Sequence, residues 1–167
     1  MPDLAVTAIA SAGGVLRVTI TNQGEAAVTD AFWVDVYLGP RSTPTGVNQI
    51  WDSLGEHGLA WLITGGDLPL APGASLILSI GDARYRADYS AIGGVIAAGT
   101  LIYAQVDSWN GTAPYGAVLE AHERDGGAYN NIAGSVAASD MIPPADLTEA
   151  SWMNPHLPRQ RGRVLMP

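Results

Sequence analysis

Phe32-Trp33-Val34-Asp35-Val36-Tyr37-Leu38 alternates without a break. Successive side chains of an extended chain point to opposite faces, so Phe32, Val34, Val36 and Leu38 share one side and Trp33, Asp35 and Tyr37 the other. Gly39-Pro40 stops the run. The same period governs Val15 to Thr21, where Leu16, Val18 and Ile20 oppose Arg17, Thr19 and Thr21 before the turn Asn22-Gln23-Gly24. Leu4, Val6 and Ile9 read as an earlier strand. The change of phase between Val6 and Ile9 predicts a bulge, and Ala12-Gly13-Gly14 predicts a hairpin with the strand that follows.

Downstream, Leu70-Ala71-Pro72-Gly73 turns the chain into Ser75 to Ile80, with Leu76, Leu78 and Ile80 inward. Leu101 to Asp107 puts Ile102, Ala104 and Val106 inward and Tyr103, Gln105 and Asp107 outward. Leu59 to Ile63 reads as a short strand buried on both faces. Ala117 to Glu120 and Asn131 to Val136 are weaker strand signals, and Arg84 to Ile92 has room for one or two helical turns. Short alternating strands without βα periodicity predict an all-β fold: an immunoglobulin-like antiparallel sandwich of about seven strands. The 41–69 segment is a long insertion in it. Residues 1–140 make the sandwich domain. Residues 141–167, punctuated by proline, read as a linker or tail that docks on the domain through Trp152 and Met153.

Composition narrows the function. The 167 residues carry a formal charge of −8, and all eight Lys-or-Arg positions are Arg. Such a field repels nucleic acid and anionic membranes. Three of those arginines, Arg159, Arg161 and Arg163, sit in the tail, where they read as a solvated end or a dock for an acidic surface. Without cysteine there is neither a disulfide nor a thiolate metal site. No apolar run approaches the roughly 18 residues that span a bilayer, and Met1-Pro2-Asp3-Leu4 does not read as a signal peptide. Nucleophile-elbow, phosphate-loop, dinucleotide and zinc-protease motifs are missing, so no catalytic residue is assigned and the chain does not read as an enzyme.

Several phrases, in order, resemble the CARDB family, the cell-adhesion-related domains of bacteria. They are Pro2-Asp3-Leu4-Ala5-Val6, Val18-Thr19-Ile20-Thr21-Asn22-Gln23-Gly24, the Phe32–Leu38 stretch, Leu70-Ala71-Pro72-Gly73-Ala74-Ser75, and a closing set of Val106-Asp107, Val118-Leu119-Glu120, Glu123 and Asn130-Asn131. The resemblance covers roughly residues 2–136. It implies a non-catalytic structural or adhesive module of an extracellular or cell-surface protein, flanked by neighbouring domains of a larger chain and meeting a protein or glycan surface.

Two groups of residues carry candidate chemistry. Asp107, Glu120, Glu123, Asn130 and Asn131 supply the carboxylate and amide oxygens that Ca²⁺ prefers, provided that loops at one pole bring them together. The same side chains would equally bond loop amides that no ladder reaches. Trp33, Tyr37 and Tyr103, with Gln105, would form an aromatic platform for a glycan or protein partner. Alternatively the 41–69 segment folds over that face, with Trp51, Trp61 and Leu59 making a second small core. His122, between Glu120 and Glu123, reads as a solvated loop residue. A hydrolase built on these three is the remote alternative.

Overall fold

The computed structural model describes residues 1–139 apart from 13, 14 and 95. The tail and its Trp152, Met153 and arginines lie outside the described residues. Seven strands form two antiparallel sheets. The first sheet joins β1 (Leu4–Ala12), β2 (Val15–Asn22) and β5 (Ser75–Ser79) in the order β1-β2-β5. The second joins β3 (Phe32–Leu38), β4 (His57–Ile63), β6 (Leu101–Val106) and β7 (Ile132–Ala137) in the order β4-β3-β6-β7. The strand that pairs with the first sheet in constant-type immunoglobulin domains lies here beside β3. Two short helices, α1 (Trp51–Leu54) and α2 (Ala121–Asp125), sit in the connections. Among the described residues no helix is long and apolar enough to cross a membrane.

The alternation explains the layers. Leu16, Val18 and Ile20 of β2 meet Phe32, Val34, Val36 and Leu38 of β3 and Ile102, Ala104 and Val106 of β6 in one core. Each large apolar side chain withdrawn from water contributes about 1.5–3 kcal/mol, offsetting the entropy of ordering the chain. The bulge in β1 falls between Val6 and Ala8. The hairpin register closes on Ala12 opposite Val15.

The outer face of β3 departs from the half-wet strand that its pattern implies: all seven residues are buried. Two connections cover it. After β3 the chain runs through α1, where the Trp51 amide donates to Asp35 Oδ2 at 2.9 Å and the Trp51 ring lies on Gly58, leaving no space for a Cβ there. After β5, residues 84–91 run along the open edge of β4, with Leu62 N donating to Arg84 O, Arg86 N to Ala60 O and Ala91 N to Gly58 O. A covered edge no longer offers a template for a foreign strand. Ala87–Tyr89 is a single 3₁₀ turn, and Tyr89 meets the Trp33 ring edge-on at 5.0 Å.

Trp61 and Leu59 belong to the main core and not to a second one. Their positions on β4 point between the sheets, where the Trp61 indole N–H donates to the Ser79 carbonyl at 3.2 Å. Ala117 to Glu120 forms no strand. Val118 is buried there, and the chain then turns directly into α2.

Candidate functional site

At the pole where β1 begins, backbone amides outrun their ladder partners and carboxyl groups receive them. Asp107 follows β6 with a positive φ of 50° and is fully buried. Its Oδ1 accepts from Ala117 N at 2.8 Å and its Oδ2 from Val118 N at 2.9 Å. Gly116 packs directly against this carboxylate at φ +88°, a conformation and a closeness that only glycine meets without strain. Burial pushes the Asp107 carboxyl up to about 7 against the pull of those two amides.

Glu120, immediately before α2, is also fully buried. Its Oε2 accepts from Leu4 N, and its Oε1 accepts from Asn131 Nδ2 at 2.6 Å. Burial raises this carboxyl to about 8. Glu123, one turn along α2, accepts from Glu120 N at 3.1 Å, as an acid at the third helical position does in a capping box. Burial shifts Glu123 upward too.

Four of the five residues expected to gather at the pole meet through this network, and Asp107 does not join their ligand-bearing atoms. Asn130 Nδ2 donates to Asp3 Oδ1 at 2.9 Å. Asp3, Glu120 and His122 each offer one donor atom within 4.8 Å of the others. His122 is not the solvated residue its neighbours suggest: its side chain is only 9% exposed. The reason is local. Glu120 opens a helical turn instead of continuing a strand, so His122 rotates inward, where its ring meets Tyr129 edge-on at 5.5 Å. Its Nδ1 lies 3.4 Å from Asp3 Oδ1 and its Nε2 lies 4.0 Å from Glu123 Oε1, yet neither nitrogen has a hydrogen-bond partner. Asp3 and His122 are the members that periodicity misses. An Asp before the first strand and a His between two acids were the available signals.

The aromatic residues do not form an open platform. Trp33 and Tyr37 are each 1% exposed, and Tyr103 is half-buried, because the connections after β3 and β5 lie over this face. Gln105 is fully buried and fully bonded. Its Oε1 lies 2.6 Å from the Tyr37 hydroxyl, and its Nε2 donates to Gly46 O at 3.0 Å and to Tyr129 Oη at 2.8 Å. Tyr129 thus links this network to the polar pole. A depression of about 460 Å³, lined in part by Gly46, Tyr115, Glu123 and Tyr129, opens beside it.

Searches against protein-family models, curated proteins and solved structures gave no match.

Proposed function

We propose that this chain is a non-catalytic structural module of an exported or cell-surface protein, one that transmits tension between neighbouring domains. The observation that carries the reading is the path of the chain. It enters at the pole of Leu4 and leaves through Ser139 beside Ser11, at the far end of β1. Seven extended steps along β1, from Leu4 to Ser11, separate the two points by roughly 23 Å. That is the geometry of domains joined in series.

Both ends are pinned across the sheets. At the first pole Glu120 holds Leu4 N, Ala121 N donates to Pro2 O at 3.1 Å, and Asn130 holds Asp3. At the second, Ser139 N donates to Ser11 Oγ at 2.9 Å and Ser139 Oγ to Ser11 O at 2.7 Å. β1 and β7 therefore run side by side in the same direction. A pull on the two ends loads these contacts together in shear. The ordered phrases that resemble the CARDB domains support the same compartment and role. Glu120, one of the three groups that a hydrolase built on Glu120, Glu123 and His122 would need, is fully buried and occupied by two amides, which favours structural work over chemistry.

An antibody against this chain, used on intact and on lysed source cells, tests the reading. Labelling of intact cells that external protease removes is expected. Signal found solely in the soluble fraction of lysed cells overturns it.

A further inference from the structure

We propose that Asp3, Glu120 and His122 form a binding site for a divalent first-row transition cation, with zinc the best fit. The proposal is independent of the tension-bearing role. It begins with an imidazole that is nine-tenths buried, has no hydrogen bond at either nitrogen, and faces two carboxyl groups. A buried polar ring without partners costs free energy unless something takes its lone pair. Arginine does not neutralise the acids. The nearest arginine in sequence, Arg124, pairs with Asp125 at 2.8 Å, and among the described residues no arginine forms an ion pair with Asp3, Glu120 or Glu123.

The distances suit a small cation. In a tetrahedral site with bonds of about 2.1 Å, neighbouring donor atoms stand about 3.4 Å apart. His122 Nδ1 and Asp3 Oδ1 are separated by 3.4 Å, and the whole triad spans no more than 4.8 Å. Two carboxylates and a neutral imidazole match a +2 ion in charge.

The surroundings orient the donors. Asn130 Nδ2 holds Asp3 Oδ1, while Leu4 N and Asn131 Nδ2 hold the two oxygens of Glu120, each of which keeps a further lone pair. Glu123 Oε1 faces His122 Nε2 from 4.0 Å, the side on which a metal-bound imidazole donates its remaining N–H to a carboxylate. Glu123 also lines the open depression, and the Asp3 side chain is itself partly exposed, so the triad borders solvent. The donor set disfavours Ca²⁺. That ion takes six to eight oxygens, whereas this site offers a nitrogen, and Asp107 spends both oxygens on amides elsewhere.

Calorimetric titration of the EDTA-treated chain with Zn²⁺ tests the site, with Co²⁺ as a spectroscopic probe of coordination. One equivalent should bind, Co²⁺ should give the intense visible bands of four-coordination, and millimolar Ca²⁺ should not compete. His122→Ala and Asp3→Asn should each weaken binding at least about 10-fold, and Glu123→Gln about 10-fold through the imidazole, while His57→Ala with His156→Ala leaves it unchanged. Should a variant fail to fold, the unsubstituted chain decides alone: Zn²⁺ should move the His122 imidazole NMR signals and leave those of His57 and His156 in place. Absence of binding at 100-micromolar Zn²⁺, affinity that survives His122→Ala, a shift confined to the other histidines, or displacement by Ca²⁺ would each overturn the proposal.

Discussion

Glu120 offers the sharpest test of how the first pole is held. Glu120→Ala removes the acceptor for two buried donors, Leu4 N and Asn131 Nδ2. A buried donor left without a partner costs about 1–3 kcal/mol, so the pair costs about 2–6 kcal/mol before any cavity is counted. Against a total stability of about 5–15 kcal/mol this is a large fraction. At roughly 3 °C per kcal/mol the melting temperature should fall by about 6–18 °C. Glu120→Gln separates the hydrogen bonds from the charge. One amide oxygen still accepts from Leu4, and the new NH₂ meets Asn131, whose Oδ1 has no partner and accepts it once that side chain flips. This variant should stay within about 1 kcal/mol of the parent near pH 5, where folded Glu120 is neutral and the pH stands close to the ordinary carboxyl value of 4.5, and become the more stable of the two by pH 7. It should also alter the pH profile. Folded Glu120 holds its proton to about 8 against an ordinary 4.5, so the folded state binds the proton more tightly than the unfolded one. The resulting stability is fully present below pH 4.5 and is lost as pH rises through about 8. Asp107 adds the same sign between 3.8 and about 7. Above pH 7 the parent should therefore keep losing stability while Glu120→Gln levels off. Urea unfolding followed by circular dichroism, in EDTA at pH 5, 7 and 9, measures both effects. An alanine variant within about 1 kcal/mol of the parent, or parallel slopes for parent and glutamine variant above pH 7, would refute the reasoning.

Three further outcomes follow from the packing. Gly116→Ala places a Cβ on the Asp107 carboxylate at a φ of +88°, and should cost at least about 2 kcal/mol by urea unfolding. Gln105→Leu takes a partner from the Tyr129 hydroxyl and the Gly46 carbonyl, while the Tyr37 hydroxyl keeps its bond to Gln49 O, and should cost about 2 kcal/mol, with faster amide exchange around residues 45–49 in hydrogen-exchange NMR. Trp61→Ala should cost about 3–5 kcal/mol, whereas Arg84→Ala, which breaks a partly exposed pair with Asp67, should cost less than about 1 kcal/mol, both by urea unfolding.

Period-two alternation made the sandwich legible. It placed Leu16, Val18 and Ile20 and their counterparts on β3 and β6 on the core side, and the phase slip in β1 marked a real bulge. Alternation reports which face a residue takes, not what covers that face. Trp33 and Tyr37 are legible as outward, but their burial depends on connections that reach them from Gln49, 12 residues beyond Tyr37, and from Tyr89, 56 residues beyond Trp33. The polar pole was legible in part for a related reason. Glu120, Glu123, Asn130 and Asn131 stood out as oxygen-bearing residues near the chain's last strands. The helical turn that rotates His122 inward begins with Glu120 capped by Glu123, a local signal too short to compete with the apolar run Ala117-Val118-Leu119 before it. Asp3 is not legible as a member because its partner, Asn130, is 127 residues distant.

The clamp and the cation site draw on the same atoms, yet they make separable demands. The clamp needs acceptors for Leu4 N and Asn131 Nδ2, and a neutral amide at position 120 supplies one while re-pairing the other. A cation needs negative charge and a lone pair at fixed distance, which an amide supplies poorly. Asn130 and Asn131 serve both: by holding Asp3 and Glu120 in place without metal, they meet the ordering cost of the ligands during folding. A cation that binds this arrangement then stabilises the folded state alone, by mass action, and tightens the contact between the start of β1 and the segment leading into β7. That contact lies on the path by which a pull on the domain would reach its second sheet.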